Sequence, residues 1–313
     1  MGIKALIDAP TDRTKQLEKI IERQQAQIER LRRPRTRPSK PTARKNGKQR
    51  PFLHVFCGDS HGAYEDKAAV SAFLSDLAIL KPKRLTHVGD VLEAGTFLAQ
   101  HHVIGTVAES EYTFEDDVLA ANNFWDGVHH ATPNTELDLI EGNHDCRIEK
   151  ACVTWALQKQ IDAAYLRKLF SPEVVLNLEK RGIKFTKRTD YAPGVSVSGT
   201  RKLDFGMLVQ HGESAISANG TMNLLRRLGT HVIHGNNHRL GVVYLETAKG
   251  VIVGMATGCL CQRRRLWNLT RCTDWVHGYG VMVVEPGKGF TCFPVPIIDG
   301  VSYLQPMAKA FGL

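Results

Sequence analysis

Asp59, His61, Asp90, Asn143, His144, His211 and His238 are oxygen and imidazole donors, each in a short turn that follows an apolar or β-branched run. Carboxylate and amide oxygens mixed with imidazole nitrogens, with no thiolate in the set, suit first-row divalent ions such as manganese, iron or zinc. Asp59 and His61 stand at alternate positions, so at the end of a strand both can face the same way. The two oxygens of a single Asp90 carboxylate can bridge two ions. Ions held roughly 3.5 to 4 Å apart can clamp a phosphate and generate hydroxide for in-line attack.

The elements that must position these side chains follow one grammar. In FLHVFCGDSHG, RLTHVGDVLEAG, LDLIEGNHD, FGMLVQHGE and THVIHGNNHR, a run of strand length ends in a turn of Gly, Asp, Asn and His. Open α/β folds place their ligands just past strand ends in this way. Helical stretches are expected over about 65–80, 110–130, 151–169 and 214–229, giving a β/α alternation. After residue 240 the pattern changes to hairpins, turning at Lys249-Gly250 and at Gly287-Lys288-Gly289. The C-terminal part should add antiparallel strands.

The order D-x-H, G-D-x-x-E, G-N-H-D, H, G-N-N-H resembles the signature of the calcineurin-like metallophosphoesterases, from residue 52 to about 240, with the hairpins reaching about 300. The resemblance implies an α/β fold with mixed sheets, a four-layer αββα sandwich, preceded here by an N-terminal helix and a basic arm. It implies a phosphoesterase domain over 51–313, with a helical insertion at 97–136 and hairpins at 241–300. Two divalent ions are implied, manganese first, with iron, zinc or nickel as alternatives. Asp59, His61, Asp90 and His238 match ligands of the first ion, Asp90 bridging, and Asn143 and His211 match ligands of the second. His144 matches a non-ligand histidine that stabilises the transition state or protonates the leaving oxygen.

This chain departs from that signature at three places. Glu93 stands where most relatives carry the Asp that orients His144. Asn236 stands where a second-site histidine is usual, which replaces an imidazole by a weaker amide oxygen and predicts a weakly held second ion. Ala94 stands where the protein Ser/Thr phosphatases carry arginine, which tilts the resemblance toward the nuclease and phosphodiesterase branch. His234 is expected to lie on a strand and not to replace the missing ligand.

Nine basic residues, Arg32, Arg33, Arg35, Arg37, Lys40, Arg44, Lys45, Lys48 and Arg50, fall in one stretch without an acid, and outside it acids and bases balance. With Pro34, Pro38 and Pro41 among them, the stretch is an extended arm, a solvated linker or a contact for phosphate backbones. Before it, Leu17, Ile21, Gln24, Ile28 and Leu31 form a helical stripe over 11–33 that could pair with a second copy or pack on the body. Arg239, beside His238, is the candidate contact for a substrate phosphate. His54, His87, His231 and His277 read as core or surface histidines. Cys259, Cys261, Cys272 and His277 lack the spacing of a zinc knuckle. Seven cysteines, no apolar membrane-length run and no secretory leader point to reduced thiols, no membrane partner and a cytoplasmic home. The competing class is a weakened phosphoesterase fold kept as a nucleic-acid-binding or assembly module, which Asn236 would mark.

Overall fold

The computed structural model describes residues 50–95, 112–157, 163–192, 195–197, 199–212, 214–264 and 273–304. The expected helix over 11–33, the basic residues from Arg32 to Lys48 and the first part of the insertion, with His101 and His102, lie outside the described residues.

Four strands, β1 (Phe52–Cys57), β2 (Arg84–His87), β3 (Glu136–Ile140) and β4 (Lys184–Thr186), pair in parallel in that order. Beyond them comes a small hairpin of β5 (Thr189–Ala192) and β6 (Val195–Val197). A second sheet is built from β7 (Thr200–Lys202), β8 (Leu208–Gln210), β9 (Val232–His234), β10 (Leu240–Thr247) and β11 (Gly250–Thr257), in the order β10-β11-β9-β8-β7. Within it β8, β9 and β11 are parallel. The last hairpin, β12 (Gly278–Glu285) and β13 (Gly289–Ile298), returns to the first sheet, where β12 pairs antiparallel with β1 and β14 (Val301–Ser302) closes the edge. Both C-terminal hairpins are antiparallel, one in each sheet, as the sequence pattern expects.

Strand alternation sorts the side chains into layers. On β1, Val55 and Cys57 face the helices, while Phe56 faces the other sheet and shares a core cluster with Val209, Ile233 and Met255 of that sheet. The sheets therefore pack back to back through a dry layer of branched and sulfur-containing side chains. The outer face of the first sheet is covered by α1 (Lys67–Leu80) and α2 (Phe114–Ala131). Helix α1 starts where Asp66 accepts the Ala69 amide at 2.9 Å and buries Ala69, Val70, Phe73 and Leu77 at helical spacing. Helix α2 starts with a reciprocal Thr113–Asp116 cap and buries Ala121, Phe124, Trp125 and Val128, with the Phe124 ring stacked on Phe73.

Next come α3 (Arg147–Leu157), α4 (Ala163–Phe170) and two single turns, α5 (Pro172–Val175) and α6 (Leu178–Arg181). The second sheet's outer face is covered by α7 (Gly220–Leu228), whose Leu224 and Leu225 pack on Val232 and Ile252. The result is the four-layer αββα sandwich implied by the motif order. No helix among the described residues is long and apolar enough to cross a membrane.

A buried neutral histidine couples this core to pH. His54 is fully buried on β1, 2.9 Å from the Thr86 hydroxyl, and burial, aided by the charges of Arg84 and Arg201, pushes its pKa down to about 3. Between that value and about 6.5 the unfolded chain holds a proton that the folded one refuses, so His54 costs nothing above the unfolded pKa and increasingly destabilises the fold as pH drops through the window. Urea unfolding followed between pH 6.5 and 4 should show a stability slope smaller by about 1.4 kcal/mol per pH unit in His54→Gln.

Candidate metal centre

Every candidate ligand sits on a loop at the carboxyl end of a parallel strand: Asp59 and His61 after β1, Asp90 after β2, Asn143 after β3, His211 after β8, Asn236 and His238 after β9. Two contacts tie the ends of the two sheets together. The Nδ1–H of His211 donates to the Val88 carbonyl at 2.9 Å, and the Asn236 amide donates to both oxygens of Asp59 at 3.1 and 3.0 Å.

Local backbone geometry explains the recurring G-D and G-N pairs. A Cβ on Gly142 would stand 2.1 Å from Asp90 Oδ1, and one on Gly235 would stand 2.5 Å from Asp59 Oδ2, so only glycine lets the strand ends approach this closely. Asp59, His61, Asp90, Asn236 and His238 all have φ between 54° and 65°, the left-handed region that L side chains avoid. The loops are braced by buried carboxylates. Asp145 accepts the amides of Asp90, Leu92 and Gly142, each at 2.8 Å. From α2, Asp117 accepts those of Ala63, Glu93 and Ala94. Helix α2, within the stretch expected as a helical insertion, thus packs in the outer layer and braces these loops.

The donors converge. His238 Nε2 lies 3.2 Å from Asp59 Oδ1 and 3.3 Å from His61 Nε2. His211 Nε2 lies 3.1 Å from Asp90 Oδ2 and 3.0 Å from Asn143 Oδ1, and Asp90 Oδ2 is in turn 3.9 Å from His61 Nε2. Asp59, Asp90 and His211 form one group with donor atoms mutually within 4.8 Å, and His61, Asp90 and His144 form another. Asp90 is common to both. Asn236 reaches the site with its backbone, and its side-chain amide donates to Gly212 O, next to His211.

The electrostatics call for cations. Burial alone would raise the carboxyl of Asp90, yet His211, His144 and His61 hold it well below the usual carboxylate range. Burial alone would likewise deprotonate the two histidines, but Asp90 drives His211 up to about 9, and Cys261 with Asp59 drives His238 up to about 10. His211 already spends Nδ1–H on Val88, so its Nε2 faces two oxygens and needs a proton or a cation between. Two imidazole nitrogens facing each other at 3.3 Å pose the same demand. The mixed oxygen and nitrogen donor set fits divalent ions.

Glu93 is shared differently from the sequence expectation. Its Oε2 lies 2.6 Å from His61 Nδ1 and 3.3 Å from His144 Nδ1, so it holds His61 at least as firmly as His144. The backbone amide of His144 donates to Asp90 Oδ1 at 2.7 Å, and its Nε2 stands 3.8 Å from Asp90 Oδ2, which places the ring over the bridging carboxylate. Arg239 has its guanidinium committed to Asp274 and to the carbonyls of Ile216 and Ser217 at 2.8 and 2.9 Å. His234 points away from the site, with Nε2 2.9 Å from the Thr221 hydroxyl. His231 accepts the Val253 amide and His277 donates to the Cys261 carbonyl, both ordinary packing roles. His87 is buried beside Ser60, with Nε2 3.2 Å from its hydroxyl.

Two neighbours escaped the sequence reading. Cys261 is fully buried, its Sγ 3.8 Å from His238 Nδ1 and grouped with His61 and His238 within metal-ligand reach. Arg147 lies with one guanidinium nitrogen 3.0 Å from His144 Nε2 and the other on Glu93. The signal for Arg147 was its place three residues after His144, across a turn in which the Arg147 amide donates to the His144 carbonyl at 3.0 Å.

No family model matches the chain. Over 259 residues it is 24% identical to the gene 54 protein of Mycobacterium phage D29, covering 79% of this chain and 94% of that one. Among solved structures, vacuolar protein sorting 29 of Cryptosporidium parvum matches with 13% identity and a TM-score of 0.43, over 80% of this chain and 94% of that one. A single-site mutant of Vps29 from Entamoeba histolytica matches with 12% identity and a TM-score of 0.40, over 80% and 96%. The phosphoesterase Yfce of E. coli matches with 13% identity and a TM-score of 0.33, over 79% and 100%.

Proposed function

We propose that this chain, which has the calcineurin-like fold, is a metal-dependent phosphoesterase that hydrolyses phosphodiesters of nucleic acid or nucleotides. The observation that carries the reading is the position of Asp90 Oδ2, 3.1 Å from His211 Nε2 after a strand of the second sheet and 3.9 Å from His61 Nε2 after a strand of the first. Asp59, His61 and His238 would hold one divalent ion, Asn143 and His211 a second, and Asp90 both. Divalent ions supply Lewis acidity there and make hydroxide available near neutral pH. His144 stands over Asp90 with Glu93 behind its Nδ1, so its Nε2 is the nitrogen aimed at the reacting oxygens. The basic stretch from Arg32 to Arg50 supports a polyanionic substrate.

The test is turnover of a chromogenic phosphodiester and of the matching monoester by protein loaded with manganese, iron, zinc or nickel. Diester cleavage above the free-metal rate is the expected result, and no turnover with any ion would overturn the reading. Asn236 favours one competitor, a weakened enzyme retained to bind nucleic acid, which would show salt-sensitive DNA binding without turnover. Occupancy of the second site is tested separately. Asn236→His should raise bound metal toward a second equivalent per chain in elemental analysis, because an imidazole replaces an amide at the margin of the His211 group. Unchanged metal content would remove position 236 from the ligand set.

A further inference from the structure

Arg147 opens α3, and its side chain is 13% exposed. One terminal nitrogen, NH1, donates to the Glu93 carbonyl at 2.9 Å and to Glu93 Oε1 at 3.1 Å, and the other, NH2, lies 3.0 Å from His144 Nε2. A guanidinium has donors only, so His144 Nε2 accepts this bond and the ring carries its proton on Nδ1, toward Glu93. That same Nε2 stands 3.8 Å from the Asp90 oxygen which His211 also contacts. A permanent positive charge therefore rests against the nitrogen that faces the reacting centre, held there by one hand while the other is engaged only with a neutral acceptor.

Among the described residues, two other positions singled out by the sequence do not supply such a charge. Ala94 brings none, and the guanidinium of Arg239 is occupied by Asp274 and two carbonyls.

We infer that Arg147 is the substrate-gripping arginine of this site: its NH2 leaves His144 Nε2 for a non-bridging oxygen of the bound phosphate, while NH1 stays on Glu93. The inference deepens the phosphoesterase reading and rests on it. A phosphoryl oxygen, being anionic, is a stronger acceptor than a neutral imidazole, so the exchange is downhill once phosphate arrives. It also frees the Nε2 lone pair, which takes up a proton from water before passing it to the leaving oxygen, so substrate binding is coupled to the readiness of His144. Arginine suits the task because its two terminal nitrogens lie in one rigid plane and can hold Glu93 and the phosphate together.

The experiment compares wild type, Arg147→Ala and Arg147→Lys, all manganese-loaded. It measures calorimetric affinity for inorganic phosphate, KM and kcat for a chromogenic phosphodiester, metal content and melting temperature. Arg147→Ala should weaken phosphate binding by about 10- to 100-fold, the loss of one or two charge-assisted hydrogen bonds, and raise KM in step with metal content unchanged. Arg147→Lys should recover only part of the loss, since a point charge cannot serve both partners. Phosphate affinity within about twofold of wild type in Arg147→Ala, with kcat alone reduced, would overturn the inference and leave Arg147 as a brace for His144. Loss of metal from that variant would also overturn it, because the guanidinium would then be sustaining the ligands through Glu93. If wild type binds no phosphate and cleaves no ester, the phosphoesterase reading falls with it; if wild type does both and Arg147→Ala matches it, the inference alone falls.

Discussion

Asp90→Asn is expected to cut kcat/KM for a phosphate ester by at least about a thousandfold while leaving the chain folded. Asn is nearly isosteric with Asp and is among the residues that best accept φ near 56°. Its amide oxygen can keep the 2.7 Å bond from the His144 backbone. What is lost is the charge and the second oxygen, the one 3.1 Å from His211 and within 4 Å of both His61 and His144. Replacing that oxygen by an NH2 group puts a donor where both ions would need an acceptor. Steady-state rates, elemental analysis and a melting curve on one preparation check the three parts together. Activity within about tenfold of wild type would remove Asp90 from its bridging place.

Asp145→Ala should be the most damaging single change for stability near the site, costing about 4 kcal/mol or more. Its carboxylate is fully buried and satisfies three backbone amides, those of Asp90, Leu92 and Gly142. Orphaning a buried amide costs about 1–3 kcal/mol each, and domains of this size have only about 5–15 kcal/mol to lose. An opposing effect exists: burial, with the neighbouring Asp90 charge, pushes the Asp145 carboxyl up to about 7, so removing it relieves some repulsion. Three lost hydrogen bonds outweigh one relieved like-charge contact. Asp145→Asn separates the two effects, since it removes the charge and keeps one acceptor; it should fall between wild type and Asp145→Ala in urea midpoint. Equal midpoints for Asp145→Ala and wild type would show that the loops after β2 and β3 do not depend on this brace.

The parts of this architecture that could be read from residues are those where local chemistry and long-range position coincide. GDSHG, GDVLE, GNHD, QHG and GNNH each close a strand of β-branched or aromatic residues, so turn and donors are announced together. The same holds for the two C-terminal hairpins, whose Gly-containing turns are local. Strands β4, β7 and β14 are two or three residues long and show no periodicity, so nothing in Lys184–Thr186, Thr200–Lys202 or Val301–Ser302 marks them. The insertion of β12 between β13 and β1 is a pairing between distant segments, which hydropathy does not encode.

Side-chain partnerships were legible only to the level of residue type. Glu93 was expected at His144, but its extra methylene carries the carboxylate on to His61, 2.6 Å away. Residue type alone did not single out Arg147, whose place beside His144 depends on the turn after β3, and Cys261 read as a reduced thiol until the loops after β9 and β11 were brought against the ends of β1 and β2. Arg239 looked placed for substrate because its neighbour is a ligand, yet adjacent residues on a turn face different ways, and its partner is Asp274.

The left-handed backbone shared by Asp59, His61, Asp90, Asn236 and His238 bears on how such a centre can change over generations. At His61 and His238 this conformation holds about 1–2 kcal/mol of tension that the surrounding sheets must keep loaded, and less where the residue is Asp or Asn. Drift toward glycine or asparagine would release it, and the chain would gain robustness while its grip on metal slackened. Asn236 is already a residue type at ease there, with its backbone amide on Asp59, so this position holds the loop end in place at little conformational cost.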